Sequence, residues 1–533
     1  MKKYYIKTFG CAMNIADSEK INMIFSDLGF VEVLDWKKAD IVIFNTCSVR
    51  KKWEDRVFWM FKEISKQEND IVVWIVWCMV KKTWLNSKYL NKKNSRKPAK
   101  TIKLAKEEKE IFNNDDKLFP KIKNLDFTLR IEDIKYLDKI LSKIFESPSP
   151  TLPFQEREQN RKKEYKNNFK FCKIEKFYKF LFSKKIINPS PSFVGYSAFP
   201  KREKFCKFFC EAVIFFFSKK KKSAENYLEQ EQLRKNSFQI NVVIQTWCDN
   251  YCSFCVVPYT RWREISRKKE KILEEIKKAV NLWAKEVCLI WQNVNSYWKL
   301  FSWNNYFQQK SQFRELLEEV DKFWLDRIRF LSSNPHDMTK DILDAHFDLK
   351  STCNYIHFAL QSWSDEMLKK MNRKHTYNDF KKHLDYLRNR DPLFWISTDI
   401  IVWFSWETEK MFKETIKAIE ECEFDFVYNS KYSARPWTLA SKLYEDDISD
   451  KLKTKRWRIL NDLLLKNIKK RSKLMIGREE VVLVEWEKNN QFFGRTRNFK
   501  EVFFDRIDWV STWDLVKVKI ISLDKFVLKW EVL

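Results

Sequence analysis

The stretch "QTWCDNYCSFC" sets three cysteines close together, at Cys248, Cys252 and Cys255. Three thiolates on one short loop can hold three irons of a 4Fe-4S cube and leave the fourth iron open to a small molecule. Zinc is the competing occupant, but a zinc knuckle needs a fourth Cys or His close by. All five histidines (His336, His346, His357, His375 and His383) are remote in sequence. A second set, Cys11, Cys47 and Cys78, lies near the amino terminus, whereas Cys206 and Cys210 have no third donor beside them and read as decoys.

The elements that must position these thiols follow from the apolar patterning. Near the amino terminus, "YYIKTF", "DIVIFNTC" and "DIVVWIVWC" read as strands alternating with helices over 15–28 and 53–66. Cys11, Cys47 and Cys78 each follow directly on one of these strands. In a parallel sheet they would emerge at one carboxyl edge, where α/β folds bind ligands. Three unrelated buried thiols are the alternative. Residues 85–146 look helix-rich and complete this first domain.

From 238 to 445 strands and helices alternate again, from "FQINVVIQT" through "EVCLIW", "RIRFLS", "YIHFAL" and "ISTDIIVWF" to "FVYNSKYS", with helices over 268–282, 311–322, 377–389 and 408–421. Six or more such units suit a full or partial barrel of parallel strands, with the Cys248 loop after its first strand. The short strands of 473–533 suit a small antiparallel barrel. The expected division is therefore 1–146, a basic insert over 147–235, 236–472 and 473–533, in an α/β architecture that ends in a β-barrel.

The 533 residues carry a formal charge of +29, which points to an anionic partner such as nucleic acid. Residues 151–222 hold 19 Lys/Arg against 6 Asp/Glu without clear periodicity, so much of that charge belongs to the insert. The longest apolar run, "AVIFFF" at 212–217, is far short of a membrane span. The amino terminus has no continuous apolar segment. A cytoplasmic chain without membrane association is expected, its twelve cysteines serving as ligands and buried thiols rather than disulfides.

The C-x3-C-x2-C spacing resembles the signature of radical S-adenosylmethionine (SAM) enzymes. The likeness widens through "YIKTFGCAMNIADSEK", "FNTCSVR", "VWCMV", "LIWQNVNSYW", "RIRFLSSNPHDM", "HFALQSWSDEMLKKMNRKHT", "STDIIVWFSWET", "YSARPWTLAS" and "GRTRNFKEVFF". Together these resemble the methylthiotransferase family, and within it the branch that acts on N6-dimethylallyladenosine in tRNA. The resemblance implies an amino-terminal methylthiotransferase domain, a radical SAM partial (β/α) barrel and a terminal TRAM-like barrel that holds RNA.

It implies two 4Fe-4S clusters, one on Cys248, Cys252 and Cys255 and a second on Cys11, Cys47 and Cys78. SAM would bind near Gln292, Asn293, Ser362 and Arg435, and tRNA near Arg495, Arg497 and Lys500. A monomer served by a sulfur donor and by a reductant protein as electron donor is implied as well. Relatives that modify threonylcarbamoyladenosine or a ribosomal-protein aspartate are alternatives, as is a non-enzymatic RNA-binding protein with structural metal sites.

The chain has 23 Trp and 5 Gly, whereas glycine ordinarily supplies about 7% of residues. In the matched motifs Trp stands where the family has glycine, at Trp77, Trp247, Trp262, Trp283, Trp291 and Trp298, and again at Trp324, Trp363, Trp403, Trp406, Trp437 and Trp513. Glycine at such places supplies positive φ or a close backbone approach. A gene in which UGA encodes glycine, written out with UGA as tryptophan, explains both counts. Indoles at those positions are expected to crowd the cysteine loop and the cofactor cleft. Trp395 and Trp457 carry no glycine expectation, and at Trp53 relatives often carry alanine.

Overall fold

The computed structural model describes residues 2–47, 51–64, 66, 71–77, 84–85, 127–129, 137, 140–141, 144, 227–230, 232, 234, 238–260, 264–298, 311–435, 437–524 and 527–533. Compactness separates Tyr136–Lys221 from Met1–Lys135 joined with Lys222–Leu533. Within the former, Leu137, Ile140, Leu141 and Ile144 are buried at helical spacing.

The amino-terminal sheet has the order β2-β1-β3-β4-β6-β5. Its strands are β1 (Lys3–Phe9), β2 (Val31–Glu32), β3 (Ile41–Thr46), β4 (Val72–Trp77), β5 (Trp84–Leu85) and β6 (Phe127–Leu129). All pair in parallel except β5. Every residue of β3 is buried, which suits an apolar run in mid-sheet. Helix α1 (Ala12–Asp27) follows β1, and α2 (Lys51–Ile64) follows β3. The chain turns into α1 at Gly10, where a Cβ would crowd the Asn14 side chain, so glycine eases this close approach. The strands β5 and β6 fall where helix was expected, because isolated short apolar runs carry little periodicity.

The sequence reading ends the insert at 235, but its last residues belong to the fold. Tyr227 and Leu228 are buried; Tyr227 OH donates to Asp17 Oδ1 at 2.6 Å, and Lys20 Nζ donates to the Tyr227 carbonyl at 2.5 Å.

Six parallel strands then form a partial barrel. They are β7 (Gln239–Val243), β10 (Glu286–Ile290), β11 (Arg327–Phe330), β12 (Tyr355–His357), β13 (Trp395–Val402) and β14 (Phe426–Lys431). β10 joins β7 to β11, and β13 joins β12 to β14. The bridges Ile328↔Thr352 and Ser333↔Phe358 carry the wall from β11 to β12. The expected strand "FQINVVIQT" breaks at Ile244, and β8 (Gln245–Thr246) leaves to pair antiparallel with β9 (Ile265–Ser266).

Outside lie α3 (Lys269–Val280), α4 (Gln312–Asp321), α5 (Lys340–Asp348), α6 (Tyr377–Arg390), α7 (Glu409–Cys422) and α8 (Asp450–Lys473). The long helix α8 was not read from the sequence, because cations interrupt its apolar stripe of Leu460 and Leu464. Its start is fixed by Ser449, whose side chain accepts from the Leu452 N–H.

The carboxy-terminal sheet is antiparallel, with the order β17-β16-β15-β18-β19. Its strands are β15 (Glu479–Lys488), β16 (Gln491–Thr496), β17 (Glu501–Asp505), β18 (Leu515–Asp524) and β19 (Val527–Val532), and β17 lies against β19 to close a small barrel. Val516, Val518 and Ile520 point inward while Lys517 and Lys519 point out. Among the described residues no helix is long and apolar enough to cross a membrane.

Candidate active site

Cys248, Cys252 and Cys255 follow β8 at the carboxyl edge of the partial barrel. Two donors reach their sulfurs: Asn250 Nδ2 lies 3.4 Å from Cys248 Sγ, and Arg373 Nη1 lies 3.4 Å from Cys252 Sγ. Burial pushes the Cys248 thiol well above its ordinary pKa, and the charges of Glu264, Cys255 and Cys252 push it further. Burial also pushes Cys255 up to about 12, with Cys252 adding to the shift.

Thiols pushed up in this way at Cys248 and Cys255 do not ionise unaided, and a bound cation inverts that balance. The donor set thus fits an iron-sulfur cluster. Among the described residues, however, no three metal-ligating side chains are gathered about one point. Indoles crowd the loop's entrance, as the sequence reading expects. Trp247 and Trp291 are both buried, and Trp291 Nε1 donates to the Trp247 carbonyl.

Around the same edge, buried polar atoms lack partners among the described residues. They are Thr246 Oγ1 after β7, Gln292 Oε1 and Asn293 Oδ1 after β10, Ser333 Oγ after β11 and Ser405 Oγ after β13. Buried polar atoms are nearly always hydrogen-bonded, so a ring of orphans at the ends of neighbouring strands fits a polar ligand such as SAM.

Of the four residues expected to bind this cofactor, Gln292 and Asn293 stand in this ring. Asn293 Nδ2 also donates to Asp337 Oδ2 at 2.6 Å. Ser362 is buried after β12 and Arg435 is buried after β14, so all four lie at the carboxyl edge. Glu264 was not foreseen. It accepts from Ser296 Oγ at 2.7 Å and from Gln245 Nε2 at 2.9 Å, and burial raises its carboxyl pKa to about 7. Arg373 lies within the matched stretch "HFALQSWSDEMLKKMNRKHT", but nothing local in sequence ties it to the cysteine loop.

In the amino-terminal sheet, Cys11 and Cys47 emerge side by side, because Phe9 pairs with Thr46 and the Cys47 N–H donates to the Phe9 carbonyl at 2.9 Å. Beneath them Asn45 Nδ2 donates to the Asn14 carbonyl at 2.7 Å and to Ser18 Oγ at 2.8 Å, fixing the loop floor. β4 ends at Trp77 opposite Thr46, and Cys78 lies outside the described residues.

The residues expected to meet RNA hold protein partners. Arg497 donates to the carbonyls of Thr352 at 2.9 Å, Asp326 at 3.4 Å and Lys350, at the amino-terminal end of the partial barrel. Arg495 pairs with Glu485, and Lys500 Nζ donates to Ser472 Oγ at 2.9 Å.

Eight tryptophans have left-handed backbones: Trp247, Trp283, Trp298, Trp324, Trp403, Trp406, Trp437 and Trp513, with φ from 53° to 76°. All stand at family glycine positions in the sequence reading, and no other described tryptophan shares the conformation. Trp291 and Trp363 are buried without positive φ, so space rather than conformation is at issue there. The side chain of Trp77 and all of Trp262 lie outside the described residues.

A family model for the radical SAM superfamily matches residues 242–419, and one described as the uncharacterized protein family UPF0004 matches residues 3–96. The barrel with its three-cysteine loop therefore defines a radical SAM protein. A tRNA-2-methylthio-N(6)-dimethylallyladenosine synthase of Clostridium botulinum (strain Okra / Type B1) is 31% identical, over 99% of this chain and 96% of its own. Proteins of the same name from Syntrophus aciditrophicus (97% of this chain, 92% of its own) and Protochlamydia amoebophila (97% and 94%) are each 29% identical. The chain belongs to the methylthiotransferase family.

Proposed function

We propose that this protein adds a methylthio group to C2 of N6-dimethylallyladenosine in tRNA, at position 37 beside the anticodon. The observation that carries this reading is the cysteine loop at the carboxyl edge of the barrel, beside the ring of unpaired buried polar atoms, in a chain that matches synthases of that name over nearly its whole length.

Cys248, Cys252 and Cys255 would hold the radical cluster, and Cys11, Cys47 and Cys78 a second one. When bound, the first cluster and SAM together supply a 5′-deoxyadenosyl radical. Gln292, Asn293, Ser362 and Arg435 orient the cofactor, and the buried strands of the partial barrel shield it from water. Arg373 holds the loop by its contact with Cys252. A sulfur donor and an electron donor protein complete the cycle, and the enzyme works as a cytoplasmic monomer.

The working protein carries glycine at its left-handed tryptophan positions. Support comes from the backbone itself, because a left-handed residue with a Cβ costs roughly 1–2 kcal/mol and glycine has no such penalty. Codons other than UGA at Trp247, Trp283 and Trp403 would refute this.

The function is tested with glycine-corrected protein reconstituted with iron and sulfide under anaerobic conditions. Release of 5′-deoxyadenosine, and a methylthio product on dimethylallyladenosine in digested tRNA, is the expected result. A product on threonylcarbamoyladenosine or on a ribosomal protein would move the substrate, and no deoxyadenosine would remove the enzyme reading.

A further inference from the structure

We infer that the exposed face of α8 is the surface that grips the RNA phosphate backbone. This rests on the tRNA reading above but assigns the grip to a different element from Arg495, Arg497 and Lys500. Lys451, Lys455, Arg458, Lys466, Lys469 and Lys473 are all exposed. With Asp462 they fall at successive intervals of three or four residues, the spacing that lines one face of a helix. From Lys451 to Lys473 the row runs roughly 33 Å at 1.5 Å per residue, long enough to follow several consecutive phosphates of an RNA strand.

The cations of α8 outside the row are paired, including exposed Lys470 at its margin, which pairs with Glu423. On the buried face Arg456 pairs with Glu407 at 3.4 Å and with Glu409, Arg471 pairs with Asp425 at 2.6 Å, and Lys453 pairs with Asp446. On the exposed face none of the six cations has an ion-pair partner among the described residues. The neighbouring helix α7 differs, since its exposed Lys410, Lys413 and Lys417 are balanced by Glu414, Glu420 and Glu421.

Stability of the helix does not account for the row. Like charges three and four apart repel. The helix dipole favours cations only in the last turn, which covers Lys473 but not Lys451, Lys455 or Arg458 near the amino end. An anionic polymer laid along the row relieves this repulsion and releases counterions.

A lipid surface fits less well, because a helix that lies in a membrane interface needs a free apolar face. The apolar face of α8 is spent on β14 and α7, and only Leu452 and Ile459 are exposed at the row's margin.

The test compares the full-length protein with K451E/K455E/R458E and K466E/K469E/K473E, using a labelled RNA hairpin of anticodon-stem-loop sequence between about 50 and 200 mM salt. Each triple reversal is expected to weaken binding at least about tenfold and to flatten the log–log salt slope by about 2 to 3. The corresponding glutamine variants, which keep the fold without reversing charge, should move both readings in the same direction. K413E/K417E on α7 should leave them unchanged.

Unchanged affinity and slope in both triple variants would overturn the inference, even if the wild type methylthiolates tRNA. So would lost binding to phosphatidylserine vesicles with RNA binding intact. Stripe-dependent hairpin binding by a wild type that transfers no methylthio group would instead overturn the reaction reading and leave this one standing.

Discussion

Arg373 donates from Nη1 to Cys252 Sγ across 3.4 Å, 121 residues away in sequence, while its Nη2 donates to the Ala359 carbonyl at 2.6 Å and to Asn334 Oδ1 at 3.1 Å. One guanidinium thus ties the cysteine loop to the loops after β11 and β12. Its charge also works against the burial that pushes the Cys255 thiol up. Groups that orient metal ligands typically matter about 10- to 100-fold in metal affinity or activity. Arg373→Met is expected to lose iron affinity on that scale, and Arg373→Lys, which keeps the charge but not the fork, to fall between. Iron per chain after reconstitution, with the electron-spin spectrum of the reduced protein, measures it. Iron binding at wild-type strength in Arg373→Met would show that the loop holds itself.

Trp283 and Trp324 sit at φ of 70° and 60° with relative exposures of 78% and 84%, so their indoles bury little while their backbones are strained. Trp283→Gly and Trp324→Gly are each expected to stabilise the chain by about 1 kcal/mol in urea unfolding. Trp457→Gly should act oppositely. It lies within α8 and its Nε1 donates to the Asn429 carbonyl at 3.1 Å. Glycine there costs about 1 kcal/mol in helix propensity, with the hydrogen bond lost besides. Destabilisation by the first two substitutions would contradict the glycine reading.

These contrasts explain what was legible in the sequence. Cys11 and Cys47 could be placed at one edge because each follows an apolar run, such as fully buried β3, and a parallel sheet sends strand ends to one edge. The terminal barrel showed in the alternation of Val516, Lys517, Val518 and Lys519. The partner of Cys252 did not show, since Arg373 reaches it only through tertiary folding across 121 residues of sequence. Nor did the docking role of Arg497, because an arginine bound to three carbonyls looks in sequence like one that awaits phosphate. Helix α8 was missed for a related reason: its buried face carries paired cations where an amphipathic pattern expects apolar residues.

The attachment of the terminal barrel runs through a buried ion cluster. Arg329 donates from Nε to Glu286 Oε1 at 3.2 Å, and from Nη1 and Nη2 to the carbonyls of Arg497 and Thr496, both at 3.0 Å. Arg327 adds bonds to the carbonyls of Arg495 at 2.7 Å and Val481 at 3.0 Å. Burial alone would raise the Glu286 carboxyl, but Arg329 and Arg327 hold it below its ordinary range. Removing one partner of a buried pair costs about 3–5 kcal/mol. Arg329→Met is therefore expected to split urea unfolding into two transitions, with the terminal barrel first to go, and to admit protease cleavage after α8. A single transition at the wild-type midpoint would show that the cluster does not couple the two parts.

Acid should destabilise the partial barrel between about pH 6.5 and 4, and His346 is one reason. Its ring lies 5.1 Å from both Phe330 and Phe394, and its Nδ1 faces the Cys353 carbonyl at 2.6 Å, so Nδ1 carries the proton of a neutral imidazole. Burial pushes its pKa down to about 4, and the charge of Arg314 pushes the same way. The unfolded chain binds that proton near pH 6.5. Between about pH 6.5 and 4 the unfolded state therefore holds more protons than the folded one, and stability is lost as the pH falls through this window. The contribution is complete above the unfolded pKa and amounts to roughly 3 kcal/mol at most. His375, which burial pushes down to about 3, adds a term of the same sign. His346→Phe removes one of these two titrations while leaving the Cys353 carbonyl without its donor, so its absolute stability drops at every pH. The diagnostic is the difference in slope: as the pH falls from 7 to 5, His346→Phe should lose less stability than the wild type, by the one proton that His346 no longer takes up on unfolding. An unchanged slope would mean that His346 is protonated in the folded state or titrates alike in both.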